Sequence, residues 1–204
     1  MENYIYVNGK KIGLTDEQVQ QIISAHKGNN QNARLADIPA GGTFKVDGME
    51  FVVLEQNGET TAVITQNVLE TTAFGSTNNF DGSDADDYCK EFTEDVFEKI
   101  GTENVVEHTV DLTSDDGLKD YGSVKRFASL LTTDLYRRYV YTLDKFKPDA
   151  WWWLATPYST PTHDHTSWVK CVSPSGGING DDCRYRGLGV RPFCILNSNI
   201  FVSK

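Results

Sequence analysis

Two turn dipeptides, Asp47-Gly48 and Asn57-Gly58, constrain the fold of this chain more than any other feature. They separate Thr43-Phe44-Lys45-Val46, Glu50-Phe51-Val52-Val53-Leu54 and Thr60-Thr61-Ala62-Val63-Ile64, three runs rich in β-branched and aromatic residues. Asp-Gly and Asn-Gly accept the positive φ of tight hairpin turns, so the runs they join pair antiparallel. A three-stranded meander is predicted over residues 43–64.

A second group of apolar runs lies between Trp151 and Phe193. Trp151-Trp152-Trp153-Leu154-Ala155-Thr156-Pro157, Ser167-Trp168-Val169-Lys170-Cys171-Val172 and Gly189-Val190-Arg191-Pro192-Phe193 read as buried strands. The segments between them, 160–166 and 175–188, mix Gly, Asp, His, Arg and Tyr in no regular period and read as loops. A rigid sheet with two chemically mixed loops on one side is the layout of a recognition surface. Strand alternation puts Trp152 on the opposite side from Trp151 and Trp153. One side then fills the core, and the other lies under a loop or forms an aromatic floor. Arg191 is expected to hydrogen-bond loop carbonyls.

Helical periodicity appears twice in the middle of the chain. Tyr88–Ile100 is predicted to be an amphipathic helix with Phe92, Val96, Phe97 and Ile100 inward and Gly101 at its end. A second helix begins at a Thr133 or Asp134 cap and runs through Leu143, with Leu135, Tyr139 and Leu143 on one face. Residues 71–85 read as a long surface loop, and Val105–Leu112 as extended. Near the start, Asn8-Gly9 joins two short strands, Thr15 and Gln18 match a capping box, and Val19, Ile22, Ile23 and His26 form a stripe ended by Gly28. With the polar stretch Lys27–Ala36 as linker, the chain divides into a hairpin-helix appendage, residues 1–34, and a main domain, residues 35–204. The stripe either packs on the main body or serves homo-oligomerisation or docking.

Charge excludes one class of partner. A net charge of −10 with pI near 4.8 leaves no concentrated basic face for nucleic acid. No run approaches the ~18 apolar residues of a membrane span, so no membrane insertion is expected. The first residues lack the basic start and apolar run of a secretory signal, which gives the expectation of a cytoplasmic or virion-associated protein. Four cysteines without Cys-x-x-Cys spacing are expected to be free thiols, with a Cys171–Cys194 bridge as the alternative.

Phe44 to Leu54, then Trp152-Trp153-Leu154-Ala155-Thr156-Pro157, Val172-Ser173-Pro174-Ser175-Gly176 and Gly189-Val190-Arg191-Pro192 stand in an order that resembles a functionally unassigned domain family of Firmicutes and their phages. That family is similar to the C-type-lectin-like fold of formylglycine-generating enzymes and of variable proteins diversified by retroelements. The resemblance runs from about Leu35 to Phe201. It implies an α+β, C-type-lectin-like fold: antiparallel sheets, two main helices and long surface loops. In retroelement-diversified relatives the variable residues precede the final strand, here Asn179 to Leu188. Every residue type in that run is reachable from an Asn codon by changing its first two bases, and an ordinary solvated loop explains the same composition. The residue set of calcium-dependent sugar-binding lectins is not visible after Trp168.

Catalytic and metal motifs are sparse. His163-Asp164-His165 would present both imidazoles on one face if extended, with Asp182 or Cys183 as the available third ligand; a solvated loop is the alternative. Serine-nucleophile motifs, phosphate-binding glycine loops and a reactive cysteine pair are missing by pattern. The expectation is a non-enzymatic recognition protein without cofactor or metal, binding a protein or glycan on a cell or virion surface. The binding residues would be Tyr158, His163, His165, Trp168, Asn179, Asp182, Arg184, Tyr185 and Arg186, because Tyr and Arg combine contact area with directed hydrogen bonds. An oxidoreductase relative of formylglycine-generating enzymes and a structural virion component are the alternatives.

Overall fold

Residues 3–7, 10–18 and 32–204 are described by a computed structural model, an α+β fold of mainly antiparallel sheets. β1 (Asn3–Val7) and β2 (Lys10–Leu14) form a hairpin, and Thr15 and Gln18 make the reciprocal bonds of a capping box at 2.9 and 3.2 Å. The stripe from Val19 to His26 lies outside the described residues. β3 (Asn32–Arg34) is already part of the large sheet, and Leu35 just after it is buried, so residues 32–36 are not linker.

The predicted meander is present as β4 (Thr43–Val46), β5 (Met49–Asn57) and β6 (Thr60–Thr65). Asp47 and Gly48 have φ of 48° and 84° between the paired Val46 and Met49, as a type I′ turn requires. At the second turn Gly58 alone has positive φ, and Asn57 remains in the strand opposite Thr60.

The chain continues through β7 (Glu70–Thr71), helix α1 (Asp84–Ile100), β8 (Val105–Val106), β9 (His108–Asp111), β10 (Ser123–Arg126), β11 (Ala128–Ser129) and helix α2 (Thr133–Leu143). It ends with β12 (Trp152–Pro157), β13 (Trp168–Val172), β14 (Ile178–Asp182), β15 (Gly189–Val190), β16 (Phe193–Asn197) and β17 (Phe201–Ser203). The eight-stranded sheet runs β11-β16-β6-β5-β4-β17-β3, with β8 also on β16; the five-stranded sheet runs β14-β13-β12-β15-β7.

Alternation along the strands sorts the core into two clusters. Phe51, Val53, Trp153 and Ala155 pack with Phe92 and Val96 of α1, while Val52, Leu54, Trp152 and Leu154 pack with Tyr136, Tyr139 and Leu143 of α2. Both Trp152 and Trp153 are therefore core residues, each on its own side. Trp153 meets Phe74 edge-on at 5.8 Å and Trp152 meets Tyr136 at 5.7 Å. Arg191 is 1 % exposed, lies 5.2 Å from the Trp152 ring, and donates to the carbonyls of Thr65, Gln66 and Phe146 at 2.8 to 3.2 Å.

Several expectations are corrected. Residues 71–85 are not a surface loop: Phe74 and Phe80 are fully buried, and Phe74 and Gly75 donate to the Cys183 carbonyl. Two aromatic anchors outweigh the polar composition around them. α1 starts at Asp84 because the Ser83 side chain caps it, accepting from the Asp86 N–H. Buried Asp86 then ties the helix start to Arg126 of β10 through contacts of 2.7 Å. In α2 the large side chain buried in the first turns is Tyr136, Leu135 is only half-buried, and the cap is Thr132. The four cysteines are free; Cys171 and Cys194 sit in different sheets, which leaves no bridge between them.

His108 makes a pH prediction. Its Nε2 pairs with Ser129 Oγ at 2.9 Å and its ring meets Phe193 edge-on. Burial lowers its pKa from 6.5 to about 4. The folded state thus binds this proton less readily than the unfolded chain, so stability is full above pH 6.5 and is lost as pH falls toward 4. Between pH 7 and 4.5 the loss attributable to His108 is about 2–3 kcal/mol. Urea midpoints of wild type and His108→Leu at the two pH values test this: the variant loses that much less on acidification, and parallel losses would refute the assignment.

Candidate functional site

β13 alternates buried Val169 and Cys171 with Trp168 and Lys170, which face outward. Trp168 pairs with Asp182 and Lys170 with Gly180 on β14, so these four share one face at the sheet edge. Tyr158, immediately after β12, completes it: its backbone N–H donates to the Trp168 carbonyl, and its ring lies 6.4 Å from the Trp168 ring, edge-on. The two residues remain 45 % and 44 % exposed. A Cβ on Gly180 would sit 3.4 Å from Trp168 Cε3 and 3.9 Å from Tyr158 Cδ2, so glycine there keeps the pair uncovered. Lys170 Nζ lies 5.5 Å from the Tyr158 ring centroid, and the His165 ring lies 6.0 Å from the same ring.

The segment after Tyr158 is held from beneath. Asn78 is fully buried; its Nδ2 donates to the carbonyls of Ser159 at 2.9 Å, Trp168 at 3.0 Å and His165 at 3.3 Å, while its Oδ1 accepts from the Tyr121 hydroxyl at 2.7 Å. Asp120 accepts from Thr160 Oγ1 and the Thr162 N–H. Asp116 accepts from the hydroxyls of Ser114 and Ser159 and from His163 Nδ1, and the two hydroxyls in that order do most to hold its carboxyl well below the usual range.

These contacts separate the expected site residues. His163-Asp164-His165 is not extended: Pro161–His163 is a 3-10 turn and Asp164 takes φ 56°. His163 turns to Asp116 and His165 to Tyr158, so the two imidazoles part. Residues 178–182 form a strand rather than loop, because β14 is an edge strand that only one neighbour must satisfy, and polar residues are tolerated there. Asn179 pairs with Cys171, on the other side of the strand from Gly180 and Asp182, and bonds the Gly177 carbonyl at 3.2 Å. Arg184 folds back on Asp182 at 3.1 Å; Tyr185 and Arg186 are exposed beyond it. Tyr158, His165, Trp168 and Asp182 thus share one face. His163 and Asn179 are directed elsewhere.

Sequence reasoning passed over Asn78, Lys170, Asp116 and Asp120. Each is an isolated polar residue in a turn or strand, without spacing that signals its role. It also passed over a polar cleft of about 380 Å³ between the turn after β9 and the start of α2. Asp111, Asp115, Asp134 and Arg137 line it, with Thr133 and Thr156 at its base. Asp115 connects it to the aromatic face, since Lys170 Nζ lies 3.1 Å from Asp115 Oδ2.

Ser159 donates its hydroxyl proton to Asp116 at 2.6 Å, and His163 approaches the same carboxylate oxygen, so the serine faces a carboxylate instead of an imidazole base. All four cysteines are buried, and burial raises their thiols, Cys171 to about 12, which disfavours the reactive thiolate.

No curated protein and no solved structure matches the chain. Over residues 118–198, from just before β10 to the end of β16, the chain is similar to the family described as Domain of unknown function (DUF6273).

Proposed function

We propose that this chain is a non-enzymatic ligand-binding protein whose recognition surface is the β13–β14 face with the 158–168 segment and the turn that follows Asp182. The observation that carries the reading is the half-exposed Tyr158–Trp168 pair on a buried sheet, left open by Gly180 and held from below by Asn78. Fixed aromatic rings supply contact area at low entropic cost, which is the chemistry of binding hot spots. Exposed Tyr185 and Arg186 extend the surface. In this reading the architecture is C-type-lectin-like, residues 179–188 are its variable segment, and the partner is a protein or glycan of a cell or virion surface. Support for it comes from the α+β sheet order and from the position of the run before β16.

Binding to glycan and peptide arrays tests the proposal. Trp168→Ala is expected to weaken whichever ligand the wild type selects by at least roughly 30-fold, the effect of losing a hot spot of ~2 kcal/mol. Its folding stability should change by about 1 kcal/mol or less, as for a surface position. Undiminished binding by Trp168→Ala and Tyr158→Ala would remove this face from consideration.

A further inference from the structure

We infer that the polar cleft at the start of α2 binds a cationic hydrogen-bond donor, the guanidinium or ammonium of an arginine or lysine presented by a polypeptide partner. The inference rests on the reading of the neighbouring aromatic face as a recognition surface, and adds the chemistry of its partner.

The cleft is rich in acceptors. Three carboxylates, Asp111, Asp115 and Asp134, line it; Arg137 faces Asp115 and Asp134, Lys170 reaches Asp115 from the aromatic side, and Asp111 accepts from Thr113 through one of its two oxygens. The hydroxyl oxygens of Thr132 and Thr156 already accept the N–H groups of Leu135 and Thr133. Thr133 itself is 2 % exposed and lines the cleft, yet its Oγ1 has no hydrogen-bond partner. Buried hydroxyls are rarely left so, and this one borders the cleft as an unused acceptor. About 380 Å³ has room for one long side chain rather than a folded segment.

Arg137 shows how such a group would sit. It is more than half exposed and reaches Asp134 at 3.2 Å and Asp115 at 3.7 Å, the bonds an incoming guanidinium would make. It therefore competes with a ligand instead of assisting one. Because Lys170 links Asp115 to the Tyr158 ring, a partner could seat a basic residue in the cleft and apolar groups on the aromatic pair in one contact. The net charge of −10 draws a basic partner and repels an acidic one.

The full chain is titrated with Nα-acetyl-arginine amide and Nα-acetyl-lysine amide, followed by backbone amide NMR shifts. Saturable shifts are expected at Asp115, Thr133 and Asp134, with the neutral isostere Nα-acetyl-citrulline amide at least about tenfold weaker, as loss of a charge-assisted pair implies. Asp134→Asn, at an exposed position, weakens binding by roughly two- to fivefold. Arg137→Gln tightens it by a similar factor, an outcome that a purely structural cleft does not produce. Equal binding of the citrulline probe, weaker binding by Arg137→Gln, or shifts mapping elsewhere would overturn the inference. A neutral oligosaccharide that shifts the same amides more strongly would overturn it in favour of a hydroxylated ligand. Trp168→Ala should leave these small-probe titrations unchanged, so failure at the cleft and failure of the aromatic face are read separately.

Discussion

Arg191→Met should remove about 3–5 kcal/mol of folding stability and lower the melting temperature by roughly 10–15 °C, among the larger losses available to a chain of this size. The guanidinium is buried and donates to the backbone carbonyls of Thr65 and Gln66 at the end of β6 and of Phe146 after α2. Methionine fills the space over the Trp152 ring but leaves these acceptors unpaired, and each unpaired buried carbonyl costs about 1–3 kcal/mol. Burial lowers the Arg191 pKa from 12.5 to about 10, so the side chain remains charged at neutral pH. Arg191→Lys should recover little, since a single ammonium cannot reproduce a planar fork. Thermal and urea denaturation of the three proteins decide the matter. A loss below about 1 kcal/mol for Arg191→Met would mean that water or backbone adjustment satisfies those carbonyls.

Asn78→Asp is the corresponding experiment on the candidate site. The side chains are nearly isosteric, but the amide's two hydrogens serve the carbonyls of Ser159, Trp168 and His165, and a carboxylate has none to give. Negative charge would then face two or three carbonyl oxygens in a fully buried position, at an expected cost of about 3 kcal/mol or more. Where the variant still folds, the 158–168 segment should shift, and the Trp168 indole resonance should move with it. Array binding should fall even though Asn78 is nowhere exposed to a ligand. Asn78→Ala removes the donor without adding charge and should cost less, about 2 kcal/mol. If the aspartate variant matched wild type in stability and binding, the segment would have to be held by its Asp116 and Asp120 contacts alone.

Both residues mark where the sequence was readable and where it was not. The meander of residues 43–65 was legible because its signals are local: strand-forming runs separated by residues that accept positive φ. The two helices were legible from their apolar spacing, though their starts moved to the Ser83 and Thr132 caps. The buried, carbonyl-binding role of Arg191 could be anticipated, but its three partners could not. Asn78 was hidden within residues 71–85, whose polar composition masks Phe74 and Phe80 as anchors. β14 was hidden because an edge strand needs neither alternation nor high apolar content. The separation of His163 from His165 followed from a single left-handed residue, Asp164, which no spacing rule announces.

By itself, the sequence determined the local hydrogen-bonding habits of this protein, which segments extend, which coil and where the chain turns, together with its strong net negative charge. Tertiary structure alone decided which distant groups meet. Tyr158, Trp168 and Gly180 become neighbours through the pairing of β13 with β14 and the bond from Tyr158 to Trp168. The cleft arises where the turn after β9 meets the start of α2. Propensity and periodicity act over a few residues, whereas a site is a coincidence of side chains brought together by the burial of a shared core.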